Sequence, residues 1–122
     1  MTFNHWMMIL FGGVAVALFV PLVRRSLGVS GVDTATAKER IKRGATVIDV
    51  RTPAEYASGH YESARNIPLQ ELQHRLAEVG DKQKALVVYC TSGRRSAQAD
   101  KILTAAGFTD VTNAGGLTNL TQ

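Results

Sequence analysis

The chemistry of this chain is concentrated in the segment Val87-Val88-Tyr89-Cys90-Thr91-Ser92-Gly93-Arg94-Arg95-Ser96-Ala97-Gln98. Cys90 is the chain's single cysteine. It closes an apolar, β-branched run, and a glycine, two arginines and a helix-forming stretch follow it. A loop that leaves a strand end and enters a helix turns several N–H groups inward. Such a nest holds anions, and the helix dipole adds to it. Amide hydrogens and nearby cations also favour the ionised form of a thiol, and the thiolate is the nucleophilic form. The spacing therefore predicts a Cys90 whose pKa is depressed and whose sulfur attacks electrophiles. A lone cysteine is more often a small buried hydrophobe. The adjacent Gly93, Arg94 and Arg95 argue against that reading here.

The elements that must position this loop follow from pattern. Asp33 is a candidate N-cap for a helix running to about Arg43, with Gly44 as its stop. Ala45 to Val50 reads as a short buried strand. Thr52-Pro53-Ala54-Glu55 has the capping-box pattern with proline at the first helical position. Asn66-Ile67-Pro68 reads as extended, because the residue before proline avoids the helical region. Leu69, Leu72 and Leu76 recur at helical spacing and end at Gly80. Ala85 to Tyr89 is the second clear strand and runs straight into Cys90. A helix is predicted from Ser96 to Ala106 with Gly107 as its stop, then a third strand over Phe108 to Thr112. Gly115-Gly116 reads as a turn before a short tail. Strands alternating with helices predict an α/β domain with a mostly parallel sheet, and in such sheets ligands bind at the carboxyl ends of the strands.

The segment Cys90-Thr91-Ser92-Gly93-Arg94-Arg95-Ser96 resembles the C-x-x-G-x-R-[ST] active loop of rhodanese domains. Three other segments agree with that family in the same order along the chain. Asp49-Val50-Arg51 is similar to its D-x-R element. Glu55-Tyr56, Gly59-His60 and Ala64-Arg65-Asn66-Ile67-Pro68-Leu69 resemble its first signature. Val111 to Leu120 resembles its C-terminal element. The resemblance spans about residues 33–121. It implies a small rhodanese-like α/β domain, its mostly parallel sheet flanked by helices, acting as a sulfurtransferase with no cofactor. A small anionic sulfur donor such as thiosulfate would load Cys90 as a persulfide, and a thiol or protein acceptor would take the sulfur. Thr91, Ser92, Gly93, Arg94, Arg95 and Ser96 would form the anion-binding loop, with Arg95 organising it. Asp49 and Arg51 would buttress that loop. His60 and Asp49 read more readily as hydrogen-bonding structural groups, and His74 as a surface residue. Departures from the pattern bear on substrate choice. Thr91 stands where many active members carry Arg, Ala114 replaces the usual Leu, and Leu117 and Leu120 stand where aromatics are common.

Two rivals of different class remain at this level. Tyrosine-phosphatase loops use C-x5-R, whereas Cys90 and Arg95 give C-x4-R, a smaller ring suited to sulfur rather than to a phosphate's oxygens. A rhodanese-fold binding or sulfur-carrier module without thiosulfate activity is the other, since fold does not fix function.

The remaining features concern setting. Residues 1–23 contain no Lys, Arg, Asp or Glu, and the run from Trp6 to Val23 is followed by Arg24-Arg25. Its length is close to the minimum that crosses a bilayer as a helix. Met1 to His5 lacks the basic stretch that opens a cleaved signal peptide, the main alternative. The chain is thus expected to carry a transmembrane anchor over 1–25, a linker over 26–32 and the domain over 33–122. The positive-inside rule then places the anchor as a single pass in the inner or plasma membrane, with the domain cytoplasmic. The net charge is +4. Lys38, Arg40, Lys42 and Arg43 lie at helical spacing and read as a solvated face, and no nucleic-acid motif accompanies them. One cysteine excludes an internal disulfide, and three histidines without ligand spacing give no expectation of a metal.

Overall fold

The computed structural model describes residues 31–122. The apolar run expected to anchor the chain, residues 1–25, lies outside the described residues, as does most of the expected linker. Among the described residues no helix is long and apolar enough to cross a membrane.

Helices α1 (Thr34–Lys42), α2 (Pro53–Ala57), α3 (Leu69–Leu72), α4 (Leu76–Val79), α5 (Arg94–Ala105) and α6 (Leu117–Thr121) alternate with strands β1 (Thr46–Asp49), β2 (Arg65–Asn66), β3 (Leu86–Cys90) and β4 (Val111–Gly116). The strands form one four-stranded sheet in the order β2-β1-β3-β4, and every neighbouring pair is parallel. A parallel sheet needs helices on both faces, so its central strand reads as a continuous apolar run. Leu86-Val87-Val88-Tyr89-Cys90 is that strand, and all five residues are buried.

Strand alternation divides the core in two. Ile48, Val50, Leu86, Val88 and Cys90 face one way and pack with Ala99 and Leu103 of α5 and with Leu72, Val79 and Phe108. Val47, Val87, Tyr89 and Ala114 face the other way and pack with Ala37 of α1 and Leu120 of α6. Cys90 and Tyr89, adjacent in sequence, therefore serve opposite faces of the sheet.

Local signals hold closely at several ends. Asp33 caps α1 through a hydrogen bond accepted from the Thr36 N–H (3.0 Å). Thr52 and Glu55 form the reciprocal capping box, with Pro53 opening α2. The largest correction lies after Cys90. The helix expected from Ser96 begins at Arg94, because Gly93 takes a left-handed conformation (φ 90°) and reverses the chain within a shorter turn. Arg94, Arg95 and Ser96 thus belong to the first turn of α5 rather than to a loop. The third strand begins at Val111, later than expected, and continues through Gly115-Gly116, which were read as a turn. Val88 pairs with Asn113 and Cys90 with Gly116, so β4 carries one residue more than β3. Gly115 at φ 86° accommodates this bulge. The expected tail beyond it is helix α6.

Asp49 and Arg51 form a buried ion pair (Nη2 to Oδ2, 2.7 Å). Tyr89 Oη donates to Asp49 Oδ2 (2.8 Å), and the Arg51 guanidinium lies 5.6 Å from the Tyr89 ring centroid. Arg51 also donates to the Gly59 carbonyl (2.7 Å), and Asn66 Nδ2 donates to the carbonyls of Asp49 and Arg51. The pair ties β1 to β3 and to the segment entering β2. Removing one partner of a buried ion pair leaves the other uncompensated. Arg51→Met is expected to destabilise the domain by about 3 kcal/mol in urea unfolding. The Cys90 titration should stay in place, because the pair lies on the other face of the sheet. A loss under about 1 kcal/mol would contradict the assigned role.

Candidate active site

Cys90 sits at the carboxyl end of β3 and is fully buried. Its Sγ accepts the Gly93 N–H (2.9 Å) and lies 3.4 Å from Ser96 Oγ. Helix α5 has no side-chain oxygen capping its N-terminus. The first N–H groups of a helix need outside acceptors, and here the sulfur accepts. Burial pushes the Cys90 thiol up. The Ser96 hydroxyl and the N–H groups of Ser96, Gly93 and Ser92 outweigh it, and the pKa lies below the ordinary thiol value. The depressed thiol expected from the sequence is thus present. The hydrogen-bond donors expected of the turn lower the thiol, and Arg95 also interacts with Cys90 through its charge.

Those arginines are placed differently from each other. Arg95 makes a two-point ion pair with Glu55 of α2, Nη1 to Oε1 at 2.6 Å and Nη2 to Oε2 at 2.9 Å. Thr91 Oγ1 donates to Glu55 Oε2 (3.1 Å) and accepts from Arg95 Nη2 (3.2 Å). Glu55 also accepts the Thr52 N–H (3.1 Å). Arg95 foremost, and then the Thr52 N–H, hold the Glu55 carboxyl well below the usual carboxylate range. A carboxyl with a depressed folded pKa contributes stability that is full above its unfolded value and is lost as pH falls through the folded one. The clamp therefore persists across the neutral range. Arg94, by contrast, is exposed and makes no ion pair among the described residues.

Glycines allow the tight approach around the sulfur. A Cβ on Gly116 would collide with the Thr91 carbonyl oxygen, and one on Gly93 would meet Val32 Cγ2 at 2.9 Å. Thr91 and Ser92 are exposed, while Gly93 and Ser96 are buried. Asp49 and Arg51, expected to buttress the loop, make no hydrogen bond to residues 91–96. Their influence passes through Tyr89 and the β1–β3 pairing. His60 stacks on Tyr56 (ring centroids 3.7 Å apart), and its Nδ1 lies 2.9 Å from the Tyr56 carbonyl oxygen. His74 is exposed.

Two residues of the site were not singled out for it in the sequence. Glu55 was legible as a capping residue, but its partner lies far along the chain. Asn113 is buried in β4, on the same face as Cys90. Its Nδ2 donates to the Gly93 carbonyl (3.1 Å), and its Oδ1 accepts from Ser96 Oγ (2.7 Å) and from the Gly115 N–H (2.9 Å). A polar residue at an inward position of a buried strand was the available signal.

The rhodanese-like domain family model matches residues 33–121. The chain belongs to the rhodanese-like family. Over 74 residues it is 49% identical to the thiosulfate sulfurtransferase PspE of Escherichia coli K12, a match covering 60% of this chain and 71% of that one. It is 33% identical over 90 residues to a sulfurtransferase of Allochromatium vinosum, covering 72% and 83%. Among solved structures, an E. coli rhodanese with anions matches with a TM-score of 0.60 at 47% identity, covering 62% of this chain and 91% of that one. The human single-domain sulfurtransferase TSTD1 matches with a TM-score of 0.65 at 27% identity, covering 74% and 92%. These relatives support a sulfurtransferase role at the level of the rhodanese-like family.

Because Gly116 abuts the Thr91 carbonyl, Gly116→Ala should displace the turn that aims the N–H groups at Cys90. The titration midpoint of the thiol, followed by thiolate absorbance, is expected to rise by about one unit for each hydrogen bond lost. An unshifted midpoint in a folded variant would show that the turn does not depend on this contact.

Proposed function

We propose that this chain is a sulfurtransferase that moves sulfane sulfur from a small anionic donor such as thiosulfate to a thiophilic acceptor through a Cys90 persulfide. The observation that carries the reading is the sulfur itself, held as an acceptor at the N-terminus of α5 by the Gly93 N–H and beside the Ser96 hydroxyl. A site that stabilises a thiolate also stabilises the anionic terminal sulfur of a persulfide.

In the first half-reaction the Cys90 thiolate attacks the outer sulfur of thiosulfate. A new S–S bond forms to Cys90, the S–S bond of thiosulfate breaks, and sulfite leaves with its electron pair. The enzyme is left as the anionic persulfide, so charge and atoms balance. In the second half an acceptor thiolate, or cyanide in vitro, attacks the outer sulfur of the persulfide and releases the Cys90 thiolate. With one cysteine in the chain, no second thiol resolves the persulfide internally, and the acceptor comes from outside. Exposed Arg94 would draw in the donor. The N–H groups of Ser92, Gly93 and Ser96 would hold the transferred sulfur, and Arg95 with Thr91 would keep the turn in shape. Asp49 and Arg51 would support β3 from behind. Because Cys90 is fully buried, a donor would reach Sγ only after residues covering it shift.

Membrane tethering is part of the proposal. The uncharged run over residues 1–23 and the arginines after it support a single-pass anchor with the domain on the cytoplasmic side of an inner or plasma membrane. The full chain is expected in the membrane fraction after an alkaline wash, and the same chain lacking residues 1–25 in the supernatant. Recovery of both in the supernatant would remove the anchor.

Intact mass spectrometry after mixing with thiosulfate should show one added sulfur on the wild type and none on Cys90→Ser. Only the thiolate attacks, so the loading rate should fall as pH drops through the folded pKa and level off above it. Its midpoint should lie below the ordinary thiol value. A wild type that never gains sulfur from thiosulfate, but does from a protein persulfide, would identify a sulfur-carrier module instead.

A further inference from the structure

The Ser96 hydroxyl has one hydrogen and two neighbours that could take it. Asn113 Oδ1 lies at 2.7 Å and Cys90 Sγ at 3.4 Å. The orientation of the Asn113 amide follows from its other contacts. Nδ2 faces the Gly93 carbonyl, which only accepts, and Oδ1 faces the Gly115 N–H, which only donates. Oδ1 is therefore an acceptor toward Ser96, and it competes with the sulfur for the same hydrogen.

The competition has a definite outcome in each charge state. An uncharged thiol is a weak acceptor and has a hydrogen of its own. The Ser96 hydrogen then belongs to Asn113, and the Cys90 S–H turns toward Ser96 Oγ. A thiolate is a strong acceptor with no hydrogen to give, and charge-assisted hydrogen bonds are about twice as strong as neutral ones. The Ser96 hydrogen then rotates to Sγ. Asn113 Oδ1 keeps the Gly115 N–H, and Nδ2 keeps the Gly93 carbonyl, so neither state strands a buried polar atom. No buried side-chain nitrogen or oxygen among the described residues lacks a partner.

We propose that Asn113 is a positioning residue that holds the Ser96 hydroxyl hydrogen while Cys90 is a neutral thiol and releases it to the sulfur when Cys90 is an anion. The bulge in β4 gives this arrangement its geometry. Gly115 turns its N–H onto the Asn113 side chain, and the register brings Asn113 opposite Val88, on the face that carries Cys90. The charged groups near the sulfur do not supply such a switch. Arg95 of α5 is clamped by Glu55 of α2, while Asp49 and Arg51 of β1 lie across the sheet with Tyr89. Arg94 is exposed.

This inference rests on Cys90 being the reacting thiol, but its test reads the thiol and not sulfur transfer. With one cysteine in the chain, thiolate absorbance, referenced to Cys90→Ser, reports Cys90 alone. Ser96→Ala removes the donated hydrogen and should raise the midpoint by about one unit. Asn113→Leu removes the competitor and should lower it by roughly half a unit, the share of one neutral hydrogen bond. In the Ser96→Ala background, Asn113→Leu should add no shift. An equal shift in both backgrounds, or a rise on Asn113→Leu, would overturn the proposal.

A second measurement needs no Asn113 variant to fold. In the wild type, the NMR signals of the Asn113 side-chain amide and of the Gly115 N–H should move with the Cys90 midpoint as the hydroxyl hydrogen leaves Oδ1. In Ser96→Ala that movement should shrink to the part caused by the sulfur's charge alone. Signals that move equally in both proteins would sink the idea. Failure of thiosulfate loading with these couplings intact would count against the sulfurtransferase reading and leave the switch standing.

Discussion

A helix that begins on a sulfur atom constrains the rest of this domain. The 12-residue α5 opens with Gly93, which offers no side chain to cap it, and carries two arginines but no acid in its first turn. Positive charge at a helix N-terminus opposes the macrodipole. Two things compensate it here: the Cys90 sulfur, which accepts the Gly93 N–H, and Glu55, which pairs with Arg95. Ionising the thiol therefore relieves an unfavourable electrostatic arrangement that the fold itself creates. Adding a second sulfur to Cys90 retains that relief, because the negative charge stays near the same helix end.

Holding the sulfur there depends on backbone closeness more than on side chains. Gly93 must reverse the chain, Gly115 must absorb the extra residue of β4, and Gly116 must pass beneath the Thr91 carbonyl. A side chain at any of these positions would meet a neighbouring atom or an unfavourable backbone conformation. The opposite face of β3 is organised differently, around Tyr89, Asp49 and Arg51, where side-chain hydrogen bonds and charge fix the strand. On the Cys90 face the donors to the sulfur are main-chain N–H groups and the Ser96 hydroxyl. The polar side chains of this face, Ser96 and Asn113, sit where strand alternation and the first turn of α5 bring them to the sulfur.

The signals legible in the sequence were local ones. Asp33 and Thr52 as caps, Ala85 to Tyr89 as a strand, and the thiol at its end could be read because each depends on neighbours within a turn or on strand alternation. The early start of α5 was missed because Gly93, read as loop, takes the left-handed conformation that lets the helix begin at once. The bulge was missed for a related reason: Gly-Gly is a strong turn signal, and only the pairing of β3 with β4 reveals that the strand continues through it. Glu55 with Arg95, and Asn113 with Ser96, are contacts between segments far apart in the chain. No periodicity encodes such contacts, so the amide hydrogens and arginines beside the thiol were legible while Asn113 behind the Ser96 hydroxyl was not.

The Glu55 clamp on Arg95 bears on how an anion would be drawn to the sulfur. With Arg95 paired to Glu55 and Thr91 standing where the family often has Arg, the groups in contact with the sulfur are hydrogen-bond donors rather than free cations. Amide hydrogens act at contact distance, whereas a guanidinium in water is felt over roughly a Debye length, about 8 Å at physiological salt. A site built this way attracts a free dianion only modestly from a distance and holds the single sulfur atom well once it has arrived. The same balance suits a donor delivered by a docked protein, whose approach needs no long-range field. Under the proposed reaction, selection would rest on how a donor presents sulfur to the buried Cys90 more than on its charge in solution.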